Sequence, residues 1–119
     1  MNKRFLYRAK SVDTGDLVFG SLVYSSKENL YYIVEQNDEE LSWVVYRDTI
    51  CQCTGYEDDE GYLIFEGDEV VSKYSGYDIN GKIIYLNGCF YIKDTKLNIC
   101  LELILAIHRI KLINPTYIE

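Results

Sequence analysis

Asp13-Thr14-Gly15 is a triplet with a known chemistry, because it carries the aspartate of proteases in which two carboxylates share one proton. That chemistry needs a buried loop with a small residue after the glycine. Here Asp16 follows and adds charge, and no partner motif or flap appears later in the chain. Asp-x-Gly between two strands is ordinary turn chemistry, with the aspartate bonding its own backbone and the glycine taking φ > 0. The second candidate is acidic. Glu57-Asp58-Asp59-Glu60 precedes Gly61, and Glu66-Gly67-Asp68-Glu69 follows a short apolar run. A calcium loop of the EF-hand type places its carboxylates at alternate positions and ends on a spaced glutamate. Adjacent carboxylates cannot all point at one ion, and Glu66 is off that spacing. The third is the cysteine set Cys51, Cys53, Cys89 and Cys100. A C-x-C with two distant cysteines lacks the paired C-x-x-C knuckles of a structural zinc site. His108, the one histidine, lies in an apolar run beside Arg109, which lowers its proton affinity.

No acid, base and oxyanion donor come together in this inventory. The expectation is a non-enzymatic protein with no catalytic residues, no metal and no cofactor. The cysteines are expected to be reduced and packed as small hydrophobes. A carboxylate-dependent hydrolase stays as a lesser alternative, and it needs a cleft that converges its acids.

The chain has 119 residues and a formal net charge of −7. It is long enough for one domain with its own core. No apolar run reaches the ~20 residues of a membrane helix. The start, MNKRFLYRAK, has no apolar stretch behind its charges, so no secretory signal is read there. A cytoplasmic location is expected, with no membrane partner. Duplex binding rests on Lys and Arg neutralising phosphates, so nucleic acid is not favoured. The alternatives kept are a nucleic-acid-associated factor, with Lys3, Arg4, Arg8 and Lys10 forming one basic face, and an acidic DNA mimic.

The elements that hold these residues read as strands. One proline and 12 tyrosines lean towards β structure. Phe5 to Lys10 and Leu17 to Tyr24 flank the turn at Asp13 and Gly15. Leu30 to Glu35 and Leu41 to Tyr46 flank the polar residues 36–40, and Thr49 to Cys53 makes a short fifth strand. Tyr62 to Phe65 and Glu69 to Tyr74 surround Glu66-Gly67-Asp68. Asn87-Gly88 between Lys82–Leu86 and Cys89–Lys93 is a strong hairpin signal, because both central positions of a type I′ turn need φ > 0. That turn sets Leu86 against Cys89, Tyr85 against Phe90 and Ile83 against Ile92. It predicts Tyr85, Phe90, Ile83 and Ile92 in the core, with Lys82 and Lys93 facing water. Leu101 to Ala106 is compatible with the start of a helix, and Ile104 to Ile113 reads as a strand stopped at Pro115. The fold class is therefore all-β: one domain over 1–119, with a β-meander in 1–54 packed on a small, partly open barrel in 55–119.

Thr49 to Val70 resembles the signature of the YopX family of phage and prophage proteins. The match is carried by Thr49, Gln52, Thr54, Gly55, Asp58, Gly61, Ile64 and the run Phe65-Glu66-Gly67-Asp68. Arg8-Ala9-Lys10, Asp13-Thr14-Gly15 and Val18-Phe19-Gly20 are similar to the family's first hairpin. Gly81 to Tyr85 and Asn114-Pro115 are similar to its later segments. Cys51 and Cys53 stand where the family has a glycine and an aromatic, which argues further against zinc. The resemblance implies a phage-type protein with an SH3-like, partly open barrel, and it implies no activity. Gly55, Asp58, Gly61, Phe65, Glu66, Gly67 and Asp68 are then structural turn residues, whose carboxylates are placed to cap backbone N–H groups. Small barrels of this kind usually bind something. A protein-binding or assembly module is expected, with a host or phage protein as partner or as a homo-oligomer. Tyr31, Tyr32 and Trp43 are the expected interface residues, since aromatics anchor interfaces.

Overall fold

The computed structural model describes residues 5–35, 41–106 and 109–115. Its backbone is all-β, in two antiparallel sheets. The chain divides into two compact units, Met1–Cys53 and Thr54–Glu119.

The first unit holds β1 (Tyr7–Lys10), β2 (Leu17–Ser25), β3 (Leu30–Val34), β4 (Ser42–Val45) and the start of β5 (Cys51–Glu57). Their order in the sheet is β4-β3-β2-β1-β5. Paired residues share a face, so Tyr24, Tyr31 and Val45 form one row and Leu22, Ile33 and Trp43 the next. Ala9, Val18, Ile33 and Val45, one from each of the first four strands, are the buried centre. Tyr7, Leu22, Tyr31, Trp43 and Ile50 pack around it. The sheet curls until the end of β4 meets the chain just past β1. Ser11 bridges Val45, the Tyr46 N–H donates to the Lys10 carbonyl at 3.0 Å, and the Val12 N–H donates to Val44 at 2.9 Å. The contact is one bridge and not a ladder. A close approach inside the curl explains Gly20, because a Cβ there would occupy the place of the Val34 carbonyl.

The second unit contains the rest of β5, then β6 (Leu63–Phe65), β7 (Glu69–Tyr74), β8 (Tyr77–Leu86) and β9 (Cys89–Asp94). It ends with β10 (Ile99–Glu102), a single helical turn α1 (Leu103–Ala106) and β11 (Lys111–Leu112). The five-stranded sheet of this unit runs β10-β9-β8-β7-β11 and does not close, so β10 and β11 remain edges. Two hairpins give it most of its order. Asn87 and Gly88 have φ of 50° and 86°, and the strands pair in the expected register from Leu86↔Cys89 to Lys82↔Lys93. Ser75 and Gly76, with φ of 52° and 83°, make a second two-residue turn that extends β8 back to Tyr77. The core gathers Ile64, Val70, Ile79, Ile83, Ile92, Leu103, Ala106, Ile110 and Leu112.

Two expectations need correction. Tyr85 is 49% exposed and not core. It lies beside the turn, where β8 and β9 outrun the packed residues, and it meets Phe90 edge-on at 5.0 Å. The strand expected from Ile104 begins instead as α1, and β11 pairs with β7 through Lys111 and Leu112. Leu103 and Ala106, three residues apart, both face the core while Ile104 and Leu105 are exposed, so burial here follows helical and not alternating spacing. Ser72 Oγ donates to the Ala106 carbonyl at 3.2 Å and satisfies one acceptor at the end of that turn. Among the described residues, no helix is long and apolar enough to cross a membrane.

Candidate functional site

The acidic stretch folds as a pair of latches. Asp58 is 6% exposed. Its Oδ1 accepts the N–H groups of Glu60 at 3.0 Å and Tyr62 at 2.9 Å, and its Oδ2 accepts that of Leu112 at 3.1 Å. One carboxylate therefore closes the turn through Gly61 and ties it to β11, 54 residues away. Asp59 adds a backbone bond to the Ile110 carbonyl at 2.9 Å. The second latch is tighter. Asp68 Oδ2 accepts the Phe65 N–H at 2.8 Å, and the Asp68 N–H returns to the Phe65 carbonyl at 3.1 Å. Gly67 has φ of 89°, which lets the chain reverse between β6 and β7. Gly67 and Asp68 also exchange backbone bonds with Ile83 of β8, at 2.8 and 2.9 Å. Phe65 is fully buried and Glu66 half-buried at this corner. Gly55 takes φ of 87° inside β5, and beside it Thr54 Oγ1 donates to the Ile64 carbonyl at 2.8 Å. Among the described residues, no three Asp, Glu, His or Cys side chains are grouped so as to hold a metal ion.

Asp13 and Gly15 lie in the exposed turn between β1 and β2. Gly15 has φ of 76°, and its N–H donates to the Ser11 carbonyl at 2.9 Å. The shared-proton chemistry needs a buried carboxylate, and Asp13 is exposed. The aromatic residues do not all converge. Tyr31 and Trp43 share the face that carries the first core, whereas Tyr32 points to the other face of β3. Tyr24 packs on Tyr31 with ring centroids 4.8 Å apart, and the Arg47 guanidinium stands 5.8 Å above the Tyr31 ring. Tyr32 donates its hydroxyl to Glu28 at 3.0 Å, and this bond holds its proton above the ordinary tyrosine value. Trp43 Nε1 is buried and has no hydrogen-bond partner among the described residues.

The family whose description is YopX protein matches residues 6–117. The chain belongs to the YopX family. No curated protein and no solved structure matches it. Asp58 and Asp68, both within the matched residues, accept backbone N–H groups.

Several residues escaped the sequence reading. Asp94, 3% exposed, is a third buried carboxylate. It accepts the Asn80 N–H at 3.0 Å and those of Lys96 and Leu97 at 3.0 and 3.1 Å. The Asn80 bond first, then the Leu97 and Lys96 bonds, hold its carboxyl below the ordinary aspartate value against the opposing effect of burial. A signal existed, since Asp-Thr-Lys after a strand is an Asx-turn sequence. Two adjoining cavities on the second unit were also not foreseen. One, of about 510 Å³, is lined by Val71, Asn80, Lys73, Arg109 and Lys111 among others. The other, of about 290 Å³, is lined by Tyr74, Gly76, Leu105 and Ala106, and it shares Lys73 and Arg109 with the first. Lys111 pairs with Glu60 at 3.0 Å, which raises the pKa of its ammonium.

The basic face weighed from the sequence is not assembled among the described residues: Arg8 is buried and only Lys10 of the set is both described and exposed. Lys3, Arg4 and His108 lie outside the described residues. Cys51, Cys53, Cys89 and Cys100 are all free thiols.

Proposed function

We propose that this YopX protein is a non-enzymatic accessory protein of a phage or prophage. It acts in the host cytoplasm as a protein-binding or assembly module, with a host or phage protein as its partner. The observation that carries this reading is the apolar surface of the first unit. Tyr24, Leu41 and Tyr46 are each 39–48% exposed on or beside the β2-β3-β4 ribbon. Tyrosines held by neighbouring rings lose little freedom on binding, so they suit an interface. The three best-buried aspartates each serve backbone N–H groups, which supports a structural use of the acids over a hydrolytic one.

The test is capture of partners from host lysate by the tagged full chain, with and without nuclease, beside a Tyr24→Ser/Tyr46→Ser variant. The reading expects a defined protein that survives nuclease and is lost from the variant. Capture that disappears with nuclease would overturn it in favour of a nucleic-acid-associated factor. Recovery of the bait as a discrete multimer on native mass measurement would support the assembly form of the same reading.

A further inference from the structure

A strand at the end of a sheet leaves every second N–H and C=O without a ladder partner, and proteins usually cover or blunt such edges. Among the described residues, three of the four sheet ends are occupied. The outer side of β4 meets Ser11 and Val12, through the bridge at Val45 and the Val12 N–H on the Val44 carbonyl. At β6 the Ile64 carbonyl accepts Thr54 Oγ1 and the Phe65 N–H donates to Asp68 Oδ2, both at 2.8 Å. At β11 the Leu112 N–H donates to Asp58 Oδ2 at 3.1 Å, and the neighbouring Ile110 carbonyl accepts the Asp59 N–H at 2.9 Å. The fourth end, β10, is open. Ile99, Cys100 and Leu101 make no hydrogen bond beyond the β9 ladder among the described residues. Nor is this edge blunted. Its pairing with β9 runs without a bulge, and Ile99–Glu102 contains no proline and no lysine. Ile99 is 39% exposed, and Leu97 just before it is exposed as well.

We propose that a second copy of this chain adds its β10 to this edge, antiparallel, about a two-fold axis at Cys100. The inference deepens the assembly form of the reading above and places it on a surface apart from the tyrosines. What completes an open row of backbone groups is another extended backbone. The charge says which one. From β8 to β10, residues 77–102, Lys82, Lys93 and Lys96 balance Asp78, Asp94 and Glu102, although the whole chain carries −7. A neutral edge suits a copy of itself, whereas an acidic edge would call for a basic strand. A self-paired interface uses the same patch twice. The register follows from the strand itself. A two-fold axis normal to the sheet keeps both core faces on one side, so one residue must pair with its own copy. Centring on Leu101 would set Ile99 against Leu103, which has already left the strand for α1. Centring on Cys100 sets Ile99 against Leu101 of the second copy, twice, on the face where Leu101 packs on the core. Directly opposite residues lie ~4.5–5.5 Å apart at Cα, within the ~4.4–6.8 Å that a disulfide spans.

The experiment is sedimentation of the full chain under reducing conditions, from ~10 μM to ~1 mM, a range that brackets a weak dimer. The overlap is short, so the expected result is a concentration-dependent rise from the 13.9 kDa of one chain towards that of two. Ile99→Lys, which sets a charge against Leu101, should weaken the dimer at least about tenfold with an unchanged far-UV spectrum. The Tyr24→Ser/Tyr46→Ser variant should dimerise like wild type. Diamide, which takes up the two thiol hydrogens, should join two copies through Cys100. In Cys89→Ser the covalent dimer should form at least about tenfold faster than in Cys100→Ser. A chain that stays monomeric throughout would overturn the proposal and leave the edge to a strand of another protein. Equal dimerisation by Ile99→Lys, or equal cross-linking in the two cysteine variants, would overturn it too. A dimer lost in the tyrosine variant and kept in Ile99→Lys would place self-association on the tyrosine surface and refute the edge. Capture from lysate depends on Tyr24 and Tyr46 and not on Ile99, so the two readings fall separately.

Discussion

Replacing Asp58 separates a structural carboxylate from an ornamental one. In Asp58→Ala three backbone N–H groups, those of Glu60, Tyr62 and Leu112, lose their acceptor. Hydrogen bonds to a charged group contribute ~1.5–3 kcal/mol each, and a buried donor left unpaired costs ~1–3 kcal/mol. The Glu60 and Tyr62 groups sit in a part-buried turn where water can replace the aspartate. The Leu112 N–H is buried and has no such recourse. The loss for Asp58→Ala should therefore be about 3–4 kcal/mol, a large part of the ~5–15 kcal/mol that holds a domain folded. Asp58→Asn keeps an acceptor for the turn but turns an amide NH₂ towards the Leu112 N–H, and should lose about 2 kcal/mol. Urea unfolding followed by far-UV circular dichroism gives both numbers. Hydrogen exchange gives a local check, since the Leu112 amide should exchange at least tenfold faster in both variants, at ~1.4 kcal/mol per factor of ten. If both variants unfold within about 0.5 kcal/mol of wild type, the latch between the turn and β11 does not hold this unit together.

Gly20→Ala and Gly81→Ala should each destabilise by about 2–3 kcal/mol, because an added methyl meets a backbone carbonyl that cannot move aside, that of Val34 or Lys93; thermal unfolding measures it, and a change below ~0.5 kcal/mol would show that the strands part easily. Asp94 has its folded pKa below the ordinary aspartate value, so its contribution is complete above that ordinary value and is lost as pH falls through the lower folded pKa. Wild type should therefore lose stability as pH falls below the ordinary aspartate value more steeply than Asp94→Asn, as read from urea midpoints at each pH; parallel curves would refute the assignment. Among the four free thiols, Cys89 and Cys100 are exposed, Cys51 is half-buried and Cys53 is fully buried. A thiol reagent should modify Cys89 and Cys100 first and Cys53 only on unfolding, with peptide mass mapping as the readout.

The strands were legible where local chemistry decided them. Asn87-Gly88 can form one hairpin geometry, and the alternation around it fixed the register to the residue. The same logic was available at Ser75-Gly76, where Lys73, Tyr74 and Tyr77 lack the clean apolar alternation that frames a hairpin. The burial of Asp58 and Asp68 was half legible. Asp-x-x-Gly and Glu-Gly-Asp announce turns, but the bond from Leu112 to Asp58 spans 54 positions and no local pattern encodes it. Tyr85 was misplaced because alternation says which face a residue shares and not how far along the strand the core extends. The sequence leaves 101–106 compatible with a helix start and 104–113 with a strand because four apolar residues in a row fit either period, and only the core behind Leu103 and Ala106 chooses between them.

The two adjoining cavities show the same limit from the functional side. Lys73, Arg109 and Lys111 are distant in sequence or separated by apolar residues, and nothing in their spacing marks them as neighbours. Pairing of β7 with β11 sets Lys111 opposite Val71, and pairing of β7 with β8 sets Lys73 opposite Asp78. Lys73 pairs with Asp78 across the β7-β8 ladder and Lys111 with Glu60 of the turn, and Asp59 lines the same cavity as Arg109. The acidic signature matters to this outcome indirectly. Asp58 binds β11 through Leu112, Asp59 binds the Ile110 carbonyl, and Glu60 pairs with Lys111. Asp58 and Glu60 through their carboxylates, and Asp59 through its backbone N–H, thus anchor the segment from Ile110 to Leu112. A stretch that looks in sequence like a cation site is, in the fold, the mount for a cation.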